Sequence, residues 1–364
     1  MSDLPDIDLM EGFPHPRDCI RLLGQHTAEA SFLESYNGGR FHHAWLVTGA
    51  KGVGKASFAY RAAKFLLSQE GDGGGLFGPP DTLDVDQSHS AVHLINSGAH
   101  PGLSVLKRKY DSKGKKFFKA IRVDDVRGLN TFFGLSSSDG GWRVVIVDPV
   151  DDMNTNSANA ILKILEEPPK KTIFFLLSHT PAGLLPTIQS RCRRLTLNPL
   201  AADLTEKIIA PFADGISTDE LKTLVSLAEG SPGKAAALHN AGGLDAFSGL
   251  LSIFGSYPKY DPDKLHGLAD LAAKKDSEAL YRVLCELFPW WLSRFVRAAS
   301  IGFDKLPLVA GEAAVMQSLL NSKPVPFWIE VWENANHLIE RADTVNLDKK
   351  QVILNLFLSA TLKR

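Results

Sequence analysis

Residues 48–57 read Thr-Gly-Ala-Lys-Gly-Val-Gly-Lys-Ala-Ser. The spacing of Gly49, Gly54 and Lys55 fits a phosphate-binding loop, G-x-x-x-x-G-K-[ST], in all but its last position. Each matching residue has a physical task. Glycines at 49, 52 and 54 let the backbone turn so tightly that its N–H groups converge on phosphate oxygens. The helix expected next would add the positive end of its dipole. Lys55 would reach the β- and γ-phosphates, and a closing Ser or Thr would hold Mg²⁺ with its hydroxyl. That last place is taken by Ala56. Ser57 is a poor substitute, because one step along a helix turns a side chain about 100° away. The residues thus supply a cradle for ATP or ADP and lack one ligand of the metal.

Further chemistry-bearing positions follow. Asp148 closes the apolar run Arg143-Val144-Val145-Ile146-Val147. This reads as a buried parallel strand with a carboxylate at its C-terminal end, the edge where open α/β sheets bind ligands. In phosphate-loop proteins such an acid sits beside Mg²⁺. A hydrolase usually adds a second acid to orient water, but the next residue here is Pro149. Asp151 and Asp152 read as a solvated loop leading into a helix. That helix covers Asn154–Glu167, with Ala158, Ile161, Leu162 and Leu165 on one face and Pro168-Pro169 as its stop. Thr172–Leu177 reads as another buried strand. Ser178 follows it, where a polar group would feel a terminal phosphate. After a short helix over Leu184–Ile188 come Ser190-Arg191-Cys192-Arg193. By residue type alone Arg191 is a solvated charge and Cys192 a small core residue.

The elements that must position these groups divide the chain into three regions. Residues 1–200 alternate strand-like and helix-like segments, an α/β pattern. Ala44–Val47 is the strand before the loop and Ser57–Leu67 the helix after it. Residues 201–241 read as short helices at Asp203–Phe212, Thr218–Ala228 and Pro232–Asn240, the last two parted by Gly230-Ser231-Pro232-Gly233. Residues 242–364 show no strand pattern and read as all-helical. Their apolar stretches, such as Ala279–Leu284 and Val352–Leu358, ask for a partner surface.

At 364 residues, 44% hydrophobic and 22% charged, the composition is that of an ordinary globular chain of two or three domains. A net charge of −1 gives no global case for nucleic-acid or membrane binding. Three scattered cysteines, Cys19, Cys192 and Cys285, exclude a disulfide scaffold and a cysteine-based zinc site. Met1–Glu11 is polar and acidic, unlike a signal peptide, and no apolar run approaches a membrane span. A cytoplasmic location without membrane contact is expected.

The run Asn159-Ala-Ile-Leu-Lys-Ile-Leu-Glu-Glu-Pro-Pro169, followed by Ser190-Arg191-Cys192, resembles the AAA+ clamp-loader subunits of bacterial DNA polymerase III. Leu23-Gly24-Gln25, Gly39-Arg40-Phe41-His42-His43-Ala44, Gly98-Ala99-His100-Pro101 and Ile121–Arg127 are similar to other segments of that family. The resemblance covers roughly residues 13–240. It implies an AAA+ domain with a parallel sheet over 1–200, a helical lid over 201–241 and an all-helical collar over 242–364 that assembles a ring. The family's gamma/tau motor subunits carry Thr or Ser where Ala56 stands and an acid where Pro149 stands. The resemblance is therefore to a member that need not hydrolyse ATP and lends Arg191 to a neighbour's ATP. Gamma/tau and delta subunits are the implied partners, with the sliding clamp and primer–template DNA reached indirectly. Gly49, Gly52, Gly54, Lys55, Asp148 and Ser178 would form a nucleotide site. Lys234 lies where relatives place a second phosphate sensor. The family's four-cysteine zinc module is missing, its place taken by the glycine-rich stretch around 71–83, so neither zinc nor another metal is expected.

Other readings are an active gamma/tau-like motor, which Ala56 and Pro149 oppose, and a small-molecule kinase, which would want a lid near the loop. The basic segment Lys107–Lys119, interleaved with Tyr110, Phe117 and Phe118, reads as a hairpin. Its charges fit a solvated surface or a DNA contact.

Overall fold

A computed structural model describes residues 5–39, 41–69, 79–134, 141–213, 215–275 and 277–361. Arg40 and residues 71–78 of the glycine-rich stretch lie outside them. The chain forms two compact units. The first comprises Met1–Thr205 with Gly230–Lys234, the second Glu206–Glu229 with Ala235–Arg364.

The first unit runs α1 (His26–Asn37), β1 (Ala44–Thr48), α2 (Lys55–Leu67), α3 (Ser90–Asn96), β2 (Leu103–Leu106), β3 (Tyr110–Asp111), β4 (Lys116–Phe117), α4 (Val123–Gly134), β5 (Arg143–Val147), α5 (Thr155–Glu166), β6 (Thr172–Ser178), α6 (Pro186–Gln189) and β7 (Arg193–Thr196). Its five-stranded sheet has the order β2-β5-β6-β1-β7, and every pairing is parallel. The three central strands are apolar along nearly their whole length because both of their faces are covered. Trp45, Val47, Val144, Ile146, Phe175 and Leu177 point into the core shared with α1, α2 and α3. Their neighbours Ala44, Leu46, Val145, Val147, Phe174 and Leu176 point into the opposite core, with α4, α5 and α6. A one-residue slip of any of these strands would exchange its two faces, so the register is strongly set. α5 starts where Asn154 accepts a hydrogen bond from the Ser157 N–H at 3.0 Å, an N-cap in the expected place.

Beyond the sheet come α7 (Ala202–Ile209), α8 (Thr218–Ala228), α9 (Pro232–Asn240), α10 (Gly243–Phe254), α11 (Pro262–Ala273), α12 (Glu278–Ile301), α13 (Glu312–Ser322), α14 (Val325–Val345) and α15 (Lys349–Leu358). No strand occurs among the described residues of 242–364, as the sequence pattern predicts. In the second unit α8 packs against α10, α12 against α14 and α11 against α15, so packing shows no break near residue 242. The apolar stretches read as needing a partner find one inside the unit. Tyr281, Val283 and Leu284 of α12 and Val352, Ile353, Leu354, Leu356 and Phe357 of α15 are buried there. Phe254, Trp291, Phe295, Trp328 and Phe357 form the aromatic centre.

One ion pair lies within this second core. Glu312 is fully buried and accepts from Arg294 Nε at 2.9 Å and from the Val309 N–H at 2.8 Å. The Arg294 guanidinium also donates to the Pro307 carbonyl and stands over the Trp290 ring. It ties α12 to α13 and to the connection between them.

Candidate functional site

The parallel order places the ends of β5, β6 and β1 side by side, and those ends carry the candidate groups. Thr48 lies opposite Ser178 in the β1–β6 register, so the phosphate-binding loop leaves the sheet beside Ser178. Asp148 follows directly on β5, the other neighbour of β6. Gly49, Gly52 and Gly54 have φ of 147°, 81° and 107°, values that disfavour any side chain. Gly54 also stands at the N-cap of α2. At Gly52 the constraint is steric too: an added Cβ would sit 2.4 Å from the Lys234 N. The Gly233 N–H donates to the Gly52 carbonyl at 2.9 Å. The start of α9 is thus held against the loop by backbone contact, which brings the Lys234 backbone to the loop.

Lys55 is buried, and its ammonium donates to the Gly49 and Ala50 carbonyls, both at 2.8 Å. Burial pushes it down to about 8, against the upward pull of Asp148 and Asp151. Burial likewise raises the Asp148 carboxyl to about 7, with Asp8 adding to the rise and Lys55 opposing it. The His179 imidazole is pushed down to about 4, first by burial and then by Lys55. Near neutral pH the cluster therefore holds a charged lysine, a partly protonated acid and a neutral histidine, which is a setting for phosphate.

Asp151 corrects the sequence reading of a solvated loop. It is half-buried and ties down the end of β6. Its Oδ1 accepts from Ser178 Oγ at 2.9 Å, Thr180 N at 3.1 Å and Thr180 Oγ1 at 2.7 Å, and its Oδ2 from His179 N at 2.8 Å. Burial alone would raise this carboxyl, but the hydrogen bonds from His179, Thr180 and Ser178 outweigh it and hold it below the ordinary range. The Ser178 hydroxyl is consequently committed to Asp151. Asp152 is not free either, since it pairs with Arg108 at 2.7 Å.

The fit of a nucleotide can be judged from these groups. The positive-φ glycines, the inward lysine and the start of α2 suit phosphates. On the metal side Ala56 offers no hydroxyl, and the Ser178 hydroxyl, whose proton goes to Asp151, has none to give a phosphate oxygen. Among the described residues, Asp6, Asp8 and His15 bring metal-capable atoms within 4.8 Å of one another. The Lys107 ammonium bonds both carboxylates, so a cation of the protein's own already sits there.

Arg191 lies apart from this cluster. It precedes β7, whose Arg193 pairs in register with Trp45 near the start of β1. In a parallel pair that is the N-terminal edge of the sheet, opposite the phosphate-binding loop. Its guanidinium donates to Glu166 Oε1 at 2.5 Å and to the Thr187 carbonyl at 2.9 Å. The solvated charge of the sequence reading is thus a tethered one. Such an exposed pair is worth about 0–1 kcal/mol, so little opposes its release. Arg193 stacks over Trp45 and Arg194 reaches Thr48, consistent with structural charges on the edge strand. Cys192 is partly buried against the α4–α5 side core, and burial pushes its thiol up to about 12.

A five-stranded parallel sheet with a phosphate-binding loop after its first strand, an acid after β5 and a polar group ending β6 defines a P-loop α/β domain. Residues 24–201 match the family model described as "DNA polymerase III, delta subunit". The DNA polymerase III subunit delta' of Pseudomonas aeruginosa is 38% identical over 213 residues, covering 58% of this chain and 60% of that one. The delta' subunit of Escherichia coli (strain K12) is 33% identical over 57% of each chain. The tau subunit of the same strain is 30% identical over 51% of this chain and 26% of its own. No more than 60% of any of these relatives is spanned. A gamma subunit-related protein of Thermotoga maritima is a solved structure that covers 92% of this chain and 98% of its own, at 18% identity and a TM-score of 0.45. At that score the fold assignment rests on the sheet itself. Over residues 24–201 the chain is therefore similar to the delta, delta' and tau subunits of DNA polymerase III.

The sequence reading named the loop residues, Asp148 and Ser178, which the fold brings to one edge. It missed Asp151 and the Glu166 tether. Gly233 went unnoticed as a contact of the loop, although Gly-Ser-Pro-Gly before a helix was a usable signal.

Proposed function

We propose that the chain is a non-hydrolysing, delta'-type subunit of a clamp loader, supporting ATP-dependent loading of the sliding clamp on primed DNA. In this reading Arg191 completes the ATP site of a neighbouring gamma/tau subunit. The observation that carries it is the placement of Arg191 on the sheet edge opposite its own phosphate-binding loop. There it is useless to a nucleotide on Gly49–Lys55 and available to one on an adjacent molecule. A guanidinium is always charged and offers a planar fork to phosphate oxygens. Donated in trans, it stabilises charge on the transferring phosphoryl group.

The chain's own loop would hold ATP or ADP through its backbone N–H groups and Lys55 without turning it over, since both Ala56 and Pro149 lack the groups hydrolysis needs. No zinc takes part. Residues 1–200 would carry the nucleotide fold, 201–241 a lid and 242–364 the collar that joins gamma/tau and delta. The whole would work in the cytoplasm. Named delta' relatives at 32–38% identity against gamma and tau relatives at 26–30% favour this over the motor reading.

Mixing the purified chain with a gamma/tau ATPase and a delta subunit tests it. A stable complex with clamp- and DNA-stimulated ATPase is expected. With Arg191→Ala the complex should still form and its ATPase should fall. A finger is worth about 10³-fold or more at one site, and the total loss is smaller because the other sites keep their own arginines. Failure to assemble refutes the subunit assignment; full ATPase with Arg191→Ala refutes the finger.

A further inference from the structure

We infer that the tip of the β3–β4 hairpin docks on the phosphate backbone of duplex DNA. The base of the hairpin cannot serve, because its cations are spent within the protein. Lys107 pairs with Asp6 and Asp8, Arg108 with Asp152 at 2.7 Å, and Lys109 with Asp125 at 2.8 Å. The tip differs. Lys113, Lys115 and Lys116 there, and Lys119 just beyond β4, are exposed, and none forms an ion pair among the described residues. Asp111, the lone acid between positions 110 and 119, accepts from the Lys113 N–H at 3.0 Å. Net positive charge is thereby concentrated on a narrow projection of a chain whose overall charge is −1.

The aromatic residues decide which form of nucleic acid fits. Tyr110 and Phe117 face each other across the two strands, edge to face at 5.3 Å. Phe118 lies 4.1 Å beneath the Arg122 guanidinium. These rings are used in holding the hairpin and its junction with α4, so they are not a platform on which unpaired bases stack. What remains is charge alone, and charge favours the denser target. Duplex DNA carries one phosphate per about 1.7 Å of axis, twice the density of one strand. The contact is therefore with the backbone, independent of sequence and dependent on salt.

The test uses the full chain, a fluorescently labelled duplex and an equal-length single strand, with anisotropy read between about 50 and 200 mM salt. The quadruple variant Lys113→Ala, Lys115→Ala, Lys116→Ala and Lys119→Ala removes only exposed side chains, and an unchanged melting temperature checks that it folds. Each phosphate that is no longer neutralised should reduce the slope of log affinity on log salt by about 0.9, so a drop of roughly 2 to 4 is expected, with at least about tenfold weaker binding at low salt. Lys109→Ala, at a paired position, should leave the slope nearly unchanged. An unchanged slope in the quadruple variant, no duplex binding by the wild-type chain at low salt, or tighter binding to the single strand would overturn the proposal. A chain that fails this test yet enters the clamp-loader complex removes this inference alone.

Discussion

Asp151→Asn separates two pictures of the same residue. If Asp151 were a solvated loop acid, the change would be nearly silent, within about 0.5 kcal/mol. The structure gives it four accepted hydrogen bonds, two from backbone N–H groups. An amide nitrogen cannot accept. In the less damaging orientation it replaces Oδ2 and faces the His179 N–H, while Oδ1 keeps its three donors. One charge-assisted bond is then lost, about 1.5–3 kcal/mol, and a backbone N–H is left unsatisfied. Allowing for half-burial, about 2–4 kcal/mol is expected.

Hydrogen exchange reads this locally. The amides of His179 and Thr180 should lose roughly 30-fold protection or more, at about 1.4 kcal/mol per tenfold. The effect has a defined pH window. Because the folded carboxyl lies below its ordinary value of 3.8, its stabilisation is complete above that value and is lost as pH falls through the lower, folded one. The gap between wild type and Asp151→Asn should stay level near neutral pH and close in acid. Equal protection in the two proteins at neutral pH would return Asp151 to the solvent and release Ser178 as a phosphate contact.

Three more predictions concern other groups. Lys55 is held near 8 against an ordinary 10.5, so between those values the unfolded chain binds more protons. Wild-type stability should rise with pH across that window relative to Lys55→Met, as denaturant titrations at successive pH values would show, while nucleotide affinity falls as the ammonium is lost. Glu312→Gln leaves the buried Arg294 without its counter-charge and should destabilise the second unit by about 3–5 kcal/mol. Glu166→Gln breaks only an exposed pair and should cost under about 1 kcal/mol, so equal midpoint shifts in the two variants would contradict the burial argument. The purified chain should hydrolyse ATP no faster than a Lys55→Ala control. Turnover clearly above that control would place it with the motor subunits.

The sequence by itself determined the local chemistry and most elements. A Gly-Val-Gly-Lys turn between an apolar run and a helical one can hardly be anything but a phosphate-binding loop, because each residue's backbone preference acts where it stands. Thr218–Ala228 and Pro232–Asn240 were likewise legible from the Gly230-Ser231-Pro232-Gly233 break between them, and the structure adds a reciprocal cap of Ser217 and Glu220. Ala56 and Pro149 could be read as missing groups with no structure at all. Tertiary structure alone decided what depends on strand order. Asp151 looks solvated in sequence, because its donors lie 27 to 29 residues away on the next strand over. The same holds for Glu166, 25 residues from Arg191, and for α15, whose apolar stretch asks for a partner until α11 is seen against it. Residue type sets what a side chain can do. Which charges stay in water, and which edge of the sheet an arginine occupies, follow only from which strands lie next to each other.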